Sequence, residues 1–417
     1  MNAPLPDPYA IPLDQLDPSD GRLFQNQKHW AYFERLRKED PVHWVDSEEF
    51  GPYWSVTKFN DIMYVDSHHE EFSSEPSIVL GESAIDFEPP MFIAMDQPKH
   101  DVQRAVVSPA VAPKQLQDWE SLIRQRTQQV LDGLPVGEAF DWVDKVSIEL
   151  TARMLATLFD IPQEDRRKLT DWSDVSTANP SVGGSGILDE EARIAFEEQR
   201  VAELQKCLAY FTEKWNERVN EPPAMDFISL LAHNPETRDM DPLEYLGNLM
   251  LLIVGGNDTT RNSMSGSVYA LNKNPDQFDK LKADHSLIPS MVSETIRWQT
   301  PLAHMRRIAT KDVELGGKTI KAGDKVVMWY VSGNRDDEII DNPNDYIIDR
   351  ARARHHVSFG FGIHRCMGNR LAEMQLKVLW EELLARFSHI EVLEEPERVE
   401  SNFVMGYKYM PVKLHPV

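Results

Sequence analysis

Apolar residues return at helical spacing along most of the chain. Leu371, Met374, Val378 and Leu383 mark one face of a helix predicted over Leu371 to Phe387. Trp30 to Lys38 reads as a short amphipathic helix, and Leu116 to Leu131, Val146 to Phe159 and Glu164 to Ser173 as helices with core-facing stripes. A further long helix begins near Asp189. Asp241-Pro242 is a good start for the longest one, because a capping carboxylate is followed by proline at the first helical position. That helix is predicted to run to Asn274-Pro275, about thirty residues at roughly 1.5 Å each. The strand-like runs are shorter: Pro41 to Trp44, Tyr53 to Lys58, Arg307 to Thr310 and Val326 to Tyr330, with turns at Gly316-Gly317 and Ala322-Gly323. Ser73 to Pro90 reads as a loop. Ser176 to Gly186, rich in glycine, reads equally as a lid over a channel or as a plain connection.

The 417 residues contain no interior linker, so residues 1–417 are expected to form one domain behind a proline-rich leader, 1–20. That leader has neither the basic start nor the apolar core of a signal peptide or membrane anchor. The longest strongly apolar run, Leu249 to Val254, is far too short to span a bilayer. A net charge of −24 argues against nucleic acid or an anionic membrane as partner. Two distant cysteines suit a reducing compartment. A cytoplasmic protein is therefore expected.

Chemistry concentrates in Phe359-Gly360-Phe361-Gly362-Ile363-His364-Arg365-Cys366-Met367-Gly368, where one cysteine stands between glycines at the mouth of a helix. Backbone amides freed by that turn would lower its thiol pKa and fix the anion as a metal ligand, and the glycines suit a backbone running beside a large flat cofactor. Cys207, inside an apolar helical stretch, reads as a small buried hydrophobe. In the middle of the longest helix stands Gly255-Gly256-Asn257-Asp258-Thr259-Thr260. Two interior glycines cost about 1 kcal/mol each relative to alanine, so something compensates: close helix packing, or a bulky group brought up to the backbone. His100 and Arg104 share a helical face, as do Glu294 and Arg297; alone, such pairs are usually solvated surface.

The pattern Phe-Gly-x-Gly-x-His-x-Cys-x-Gly resembles the haem-ligand loop of the cytochrome P-450 family, the haem-thiolate monooxygenases. The resemblance runs from about His100 to Met405 and implies a mainly α fold with a smaller β region. Haem b would be sandwiched between the long central helix and the helix after the cysteine loop. It further implies Cys366 as the axial iron ligand, His100, Arg104, Arg307 and His364 as contacts to the haem propionates, and Asp258 and Thr259 as the acid-alcohol pair acting on O2. Glu294, Arg297 and Arg350 match the family's buried structural cluster. Electrons from NAD(P)H would arrive only indirectly, through a reductase and a 2Fe-2S ferredoxin. Arg352, Arg354, Arg365, Arg370 and Lys377 offer that acidic partner a basic patch.

Met250 to Ser263, Thr300 to Thr310 and Cys366 to Gln375 are similar to the bacterial branch that hydroxylates terminal carbons of medium-chain alkanes. Glu373, where many members carry arginine, fits that branch. The resemblance then implies an apolar substrate in a pocket lined by Leu302, Val404 and the Ser83 to Phe92 loop, with Gly255 at its floor. A fatty-acid or terpene hydroxylase is the alternative within the family. A peroxygenase would lack the acid-alcohol pair, and a haem sensor would need an output segment.

Overall fold

The structure, a computed structural model, describes residues 5–178 and 190–417. Most of the segment 176–186 therefore lies outside the described residues. The longest helix, Pro242–Lys273, forms as its ends dictate: the Asp241 carboxylate accepts from the Leu243 amide at 2.8 Å, and Pro275 opens the next helix. It packs against the helices Glu149–Leu158, Arg166–Thr177 and Ile288–Gln299. It also serves two cores, through Leu246, Leu249 and Ile253 on one side and Met264, Val268 and Leu271 on the other. Among its buried polar side chains, Asn248 Oδ1 accepts from the Phe92 amide at 3.0 Å and pins the end of the preceding loop.

The remaining helices follow the apolar stripes: His29–Glu39, Pro113–Asp132, Glu190–Arg218 and Asn369–Leu384. His100 and Arg104 lie on a helix, Lys99–Val107. The stretch predicted as helix from Val146 is wider at its start, where Val143–Ile148 is a π-helical turn leading into Glu149–Leu158. The Cys366-side helix stops at Leu384 rather than Phe387, because Phe387–Val392 is a strand. That strand pairs with Pro411–Pro416, which also pairs with Ala139–Asp141, a three-stranded sheet not marked by any strong sequence signal.

A five-stranded sheet runs in the order Val42–Ser47, Gly51–Val56, Lys325–Met328, Met305–Ala309 and Phe72–Ser73. Only the Gly51–Val56 and Lys325–Met328 neighbours are parallel. Tyr330, expected in the strand, opens the helical turn Tyr330–Gly333. Among the described residues no helix is long and apolar enough to cross a membrane.

Glu294, Arg297 and Arg350 come together as one buried cluster. Arg297 donates to both Glu294 oxygens at 2.8 and 2.7 Å, and Arg350 donates to them at 3.1 and 3.3 Å. The Ile347 amide adds a bond to Glu294 at 2.9 Å, while Arg297 also grips the carbonyls of Asn334 and Pro343 at 2.8 and 2.7 Å. A fork of this kind satisfies charges that burial would otherwise penalise heavily. It ties helix Ile288–Gln299 to the 334–350 segment that leads into the cysteine loop.

Candidate functional site

The cysteine loop closes on itself where the Cys366 amide donates to the Phe359 carbonyl at 2.8 Å. Two of its glycines have a use the sequence reading did not assign. Gly360 and Gly362 both have positive φ, +64° and +65°, and a Cβ on Gly362 would stand 2.3 Å from the Asp66 carbonyl. Gly362 thus admits the 66–67 backbone, while a Cβ on Gly360, which lines the internal cavity, would stand 3.0 Å from the Asp66 carboxylate. Gly368 is different: a Cβ there would meet nothing within 4 Å. The Cys366 sulfur opens onto the same internal cavity as Gly368, and the Gly368 and Asn369 amides at the mouth of helix Asn369–Leu384 favour its anion. Burial nonetheless holds the thiol above its ordinary pKa, against these amides and the nearby Arg104 and Arg365 guanidiniums. The expected lowering is thus present as a contribution but is outweighed by desolvation.

The cavity holds about 520 Å³. His364 lines one side, and His100, which does not line the cavity, meets its ring edge to face from behind with centroids 4.3 Å apart. Nδ1 of His364 and Nε2 of His100 are buried with no hydrogen-bond partner. The opposite nitrogens are engaged, His364 Nε2 with Ser74 Oγ at 2.8 Å and His100 Nδ1 with Asp101 at 2.7 Å. Burial pushes both imidazoles down, His364 to about 2 with Arg307 as a further cause. A carboxylate placed beside them would reverse that drift, since an opposite charge favours the protonated ring. Arg104 lines the cavity and donates to the Arg365 carbonyl. Arg307 does not line it; its guanidinium donates to Asp66 at 3.0 Å and to the Arg306 carbonyl at 2.8 Å. Asp66, which sequence gave no reason to single out, lines the cavity and accepts also from Tyr330 at 3.0 Å and the Phe361 amide at 2.7 Å. Burial raises its pKa.

The central helix supplies the other side. Gly255 and Thr259 both line the cavity, and the Thr259 hydroxyl donates to the Gly255 carbonyl at 2.8 Å. A Cβ on Gly255 would meet nothing within 4 Å, whereas one on Gly256 would approach Leu155 Cδ2 to 2.6 Å. Close packing therefore accounts for Gly256, while Gly255 borders open space in the cavity. Asp258 turns away from the cavity and is fully buried. Its carboxylate meets Arg261 at 2.7 Å and accepts from Thr177 at 3.3 Å, and Thr177 itself lines the cavity. Arg261 also holds Asp174, a half-exposed carboxylate, at 2.6 Å. Burial raises the Asp258 pKa against the pull of Arg261, so this group keeps its proton to higher pH than an exposed aspartate.

Leu302 lines the cavity, as do Ser83, Phe87, Met91 and Phe92 of the expected loop. Val404 does not: it forms a backbone bridge to Leu302, and its neighbour Phe403 faces the cavity instead. The wall is also less uniformly apolar than expected. Glu197 and Arg200 of helix Glu190–Arg218 form an ion pair on it through Glu197 Oε2, and Arg200 Nε is buried with no hydrogen-bond partner.

Residues 192–413 match the family model described as cytochrome P-450. Linalool 8-monooxygenase from Pseudomonas putida is 34% identical over 97% of this chain and 100% of its own length. Among solved structures, cytochrome P-450-153 from Novosphingobium aromaticivorans is 45% identical, with a TM-score of 0.89 over 96% of this chain and 99% of that one. CYP153D17 from Sphingomonas sp. PAMC 26605 is 48% identical at the same TM-score, 0.89, over 97% and 100%. A cysteine loop opposite a glycine-bearing central helix, a buried glutamate-arginine cluster and likeness over nearly the full length lead to one conclusion: the chain belongs to the cytochrome P-450 family.

Proposed function

We propose that the protein hydroxylates the end of an aliphatic chain, of the medium-chain alkane type, using electrons from a 2Fe-2S ferredoxin and its NAD(P)H-dependent reductase. The observation that carries this reading is a mainly apolar cavity into which the Cys366 sulfur, Gly255, Leu302 and Phe403 all open. Its residues fit the haem that the family implies. Gly255 and Gly368 leave open space where any larger residue would intrude, and His100 and His364 present unpartnered buried nitrogens beside Arg104. Cys366 would hold the iron, and the two histidines with Arg104 would hold the propionates. Arg307, expected to contact a propionate, is instead held by Asp66 at 3.0 Å behind the cavity wall. Haem, when bound, supplies the activation of dioxygen that an unactivated C–H bond requires.

The chain itself supplies hydrogen bonds and protons. Thr259 is a hydroxyl donor on the cavity face of the central helix, and Asp258 is a buried acid whose pKa burial raises against the pull of Arg261. Thr177 joins Asp258 to the cavity, and Arg261 joins it to the half-exposed Asp174. Thr259→Ala is expected to keep consuming NAD(P)H while yielding less alcohol per NAD(P)H, the remainder appearing as hydrogen peroxide. Asp258→Asn should slow turnover by about a hundredfold and enlarge the solvent isotope effect, as loss of a general acid does. Normal alcohol yield in the first variant together with a normal rate in the second would sink both roles.

Arg352, Arg365 and Arg370 are exposed with no ion pair among the described residues, and they offer the ferredoxin a docking face on an otherwise acidic molecule. Arg354 and Lys377 are already engaged, Arg354 by Glu373 at 2.5 Å and Lys377 by Glu120 and Glu381 at 3.7 and 3.6 Å.

A second reading is favoured by the Glu197–Arg200 pair: a chain carrying a polar head group, as in a fatty acid or a terpene alcohol. Titrating an n-alkane, a fatty acid and linalool against the haem-loaded protein, and following the haem absorbance, separates the two. An alkane should respond at the lowest concentration and be indifferent to Arg200→Leu. A fatty acid or linalool that binds tighter than the alkane and weakens tenfold or more in Arg200→Leu would install the second reading instead.

A further inference from the structure

A second cavity, of about 270 Å³, shares no lining residue with the first. Helix His29–Glu39, the end of helix Ile288–Gln299, Arg335 and the turn 398–407 enclose it. Arg335 is only 4% exposed and lies between two indoles, its guanidinium carbon 4.6 Å from the Trp30 ring and 5.6 Å from the Trp298 ring. It donates to the Trp298 carbonyl at 2.9 Å, but its Nη1 has no partner, and no carboxylate forms an ion pair with it among the described residues. Arg37, 8% exposed, donates to Ser332 Oγ at 2.9 Å and leaves its Nε unpartnered.

Buried guanidiniums normally meet carboxylates, because desolvation of an unpaired charge is costly. Stacking on two indoles offsets part of that cost for Arg335. It does nothing for the free N–H groups, and Arg297 and Arg37 add like charge nearby, against which Glu294 acts in the other direction. Arg398, the third arginine on the wall, is held by Glu395 at 2.9 Å; the one lining carboxylate, Glu34, pairs with Lys38 at 2.5 Å and, with Asp336 and Asp337, favours the charge on Arg37 without forming an ion pair with it. Two buried, donor-rich cations therefore face a void walled by Trp298, Tyr269 and Phe24. An oxyanion is the group that satisfies such forks, and aromatic walls suit a flat apolar body behind it.

We propose that this cavity is a second ligand site, one that takes a small monocarboxylate with a flat apolar body, its carboxylate on Arg335 and Arg37. The test uses the haem-loaded protein with benzoate, its neutral analogue benzamide, and inorganic phosphate, read by isothermal calorimetry while the haem absorbance monitors the first cavity. Benzoate should bind saturably without shifting the haem band, and benzamide at least tenfold more weakly. Arg335→Met and Arg37→Met should each weaken benzoate at least tenfold. Absence of saturable benzoate binding, equal binding of benzamide, tighter binding of phosphate, or undiminished affinity in the arginine variants would each overturn the proposal. If Arg335→Met does not fold, Arg37→Met decides, because it leaves the Trp30–Arg335–Trp298 stack in place.

Discussion

Cys366→Ser is expected to remove the thiolate signature of the haem-loaded protein outright. The Soret band of its reduced carbon monoxide complex should move to the shorter wavelength of a haem without a thiolate ligand, and alcohol formation should fall to background. A serine hydroxyl has far too high a pKa to offer the anion that the Gly368 and Asn369 amides are placed to receive. Cys207→Ser is the internal control. Its thiol is fully buried, and burial pushes its pKa far up, so it behaves as a small apolar filler between helices. A long-wavelength band that survives in Cys366→Ser, or disappears in Cys207→Ser, would falsify the assignment of the ligand.

Glu294→Ala should be nearly as damaging, though for stability and not for chemistry. The change leaves Arg297, which is fully buried, without the two oxygens it grips, and frees Arg350 and the Ile347 amide as well. Breaking a buried pair from one side costs about 3–5 kcal/mol. That is a large fraction of the roughly 5–15 kcal/mol by which folded proteins exceed their unfolded states. The observable is the yield of haem-loaded protein and the midpoint of chemical unfolding. Glu294→Gln, which keeps an acceptor and the side-chain shape, should lose less. Wild-type yield and midpoint in Glu294→Ala would mean that the cluster does not bear on the cysteine loop at all.

What could be read from the sequence was whatever is encoded locally. The Asp241-Pro242 cap, the apolar stripes of the long helices and the glycine-flanked cysteine each carry their meaning within a few residues. Glu294 and Arg297 sit one helical turn apart and meet as that spacing allows, while Arg350 was placed by resemblance. The failures are long-range. Asp258 was expected beside Thr259, yet successive helical residues point about 100° apart, and Arg261 and Thr177 hold its carboxylate on the outer side. Arg307 is engaged by a residue 241 positions away, Asp66, which no pattern in either stretch announces. Val404 and Phe403 differ by one step of an extended backbone. The bridge from Val404 to Leu302 decides which of them faces the cavity. The three-stranded sheet at the end of the chain was missed because Ala139–Asp141 is too short to show alternation.

The adjoining glycines of the central helix answer the same substitution in opposite ways. A methyl group at 256 would come within 2.6 Å of Leu155 Cδ2, so that side chain must turn aside to admit it. A methyl group at 255 meets no protein atom within 4 Å and would instead take up part of the cavity onto which the Cys366 sulfur opens. Neighbouring positions thus answer to different constraints, 256 to the packing of one leucine side chain and 255 to the volume left for whatever the cavity holds.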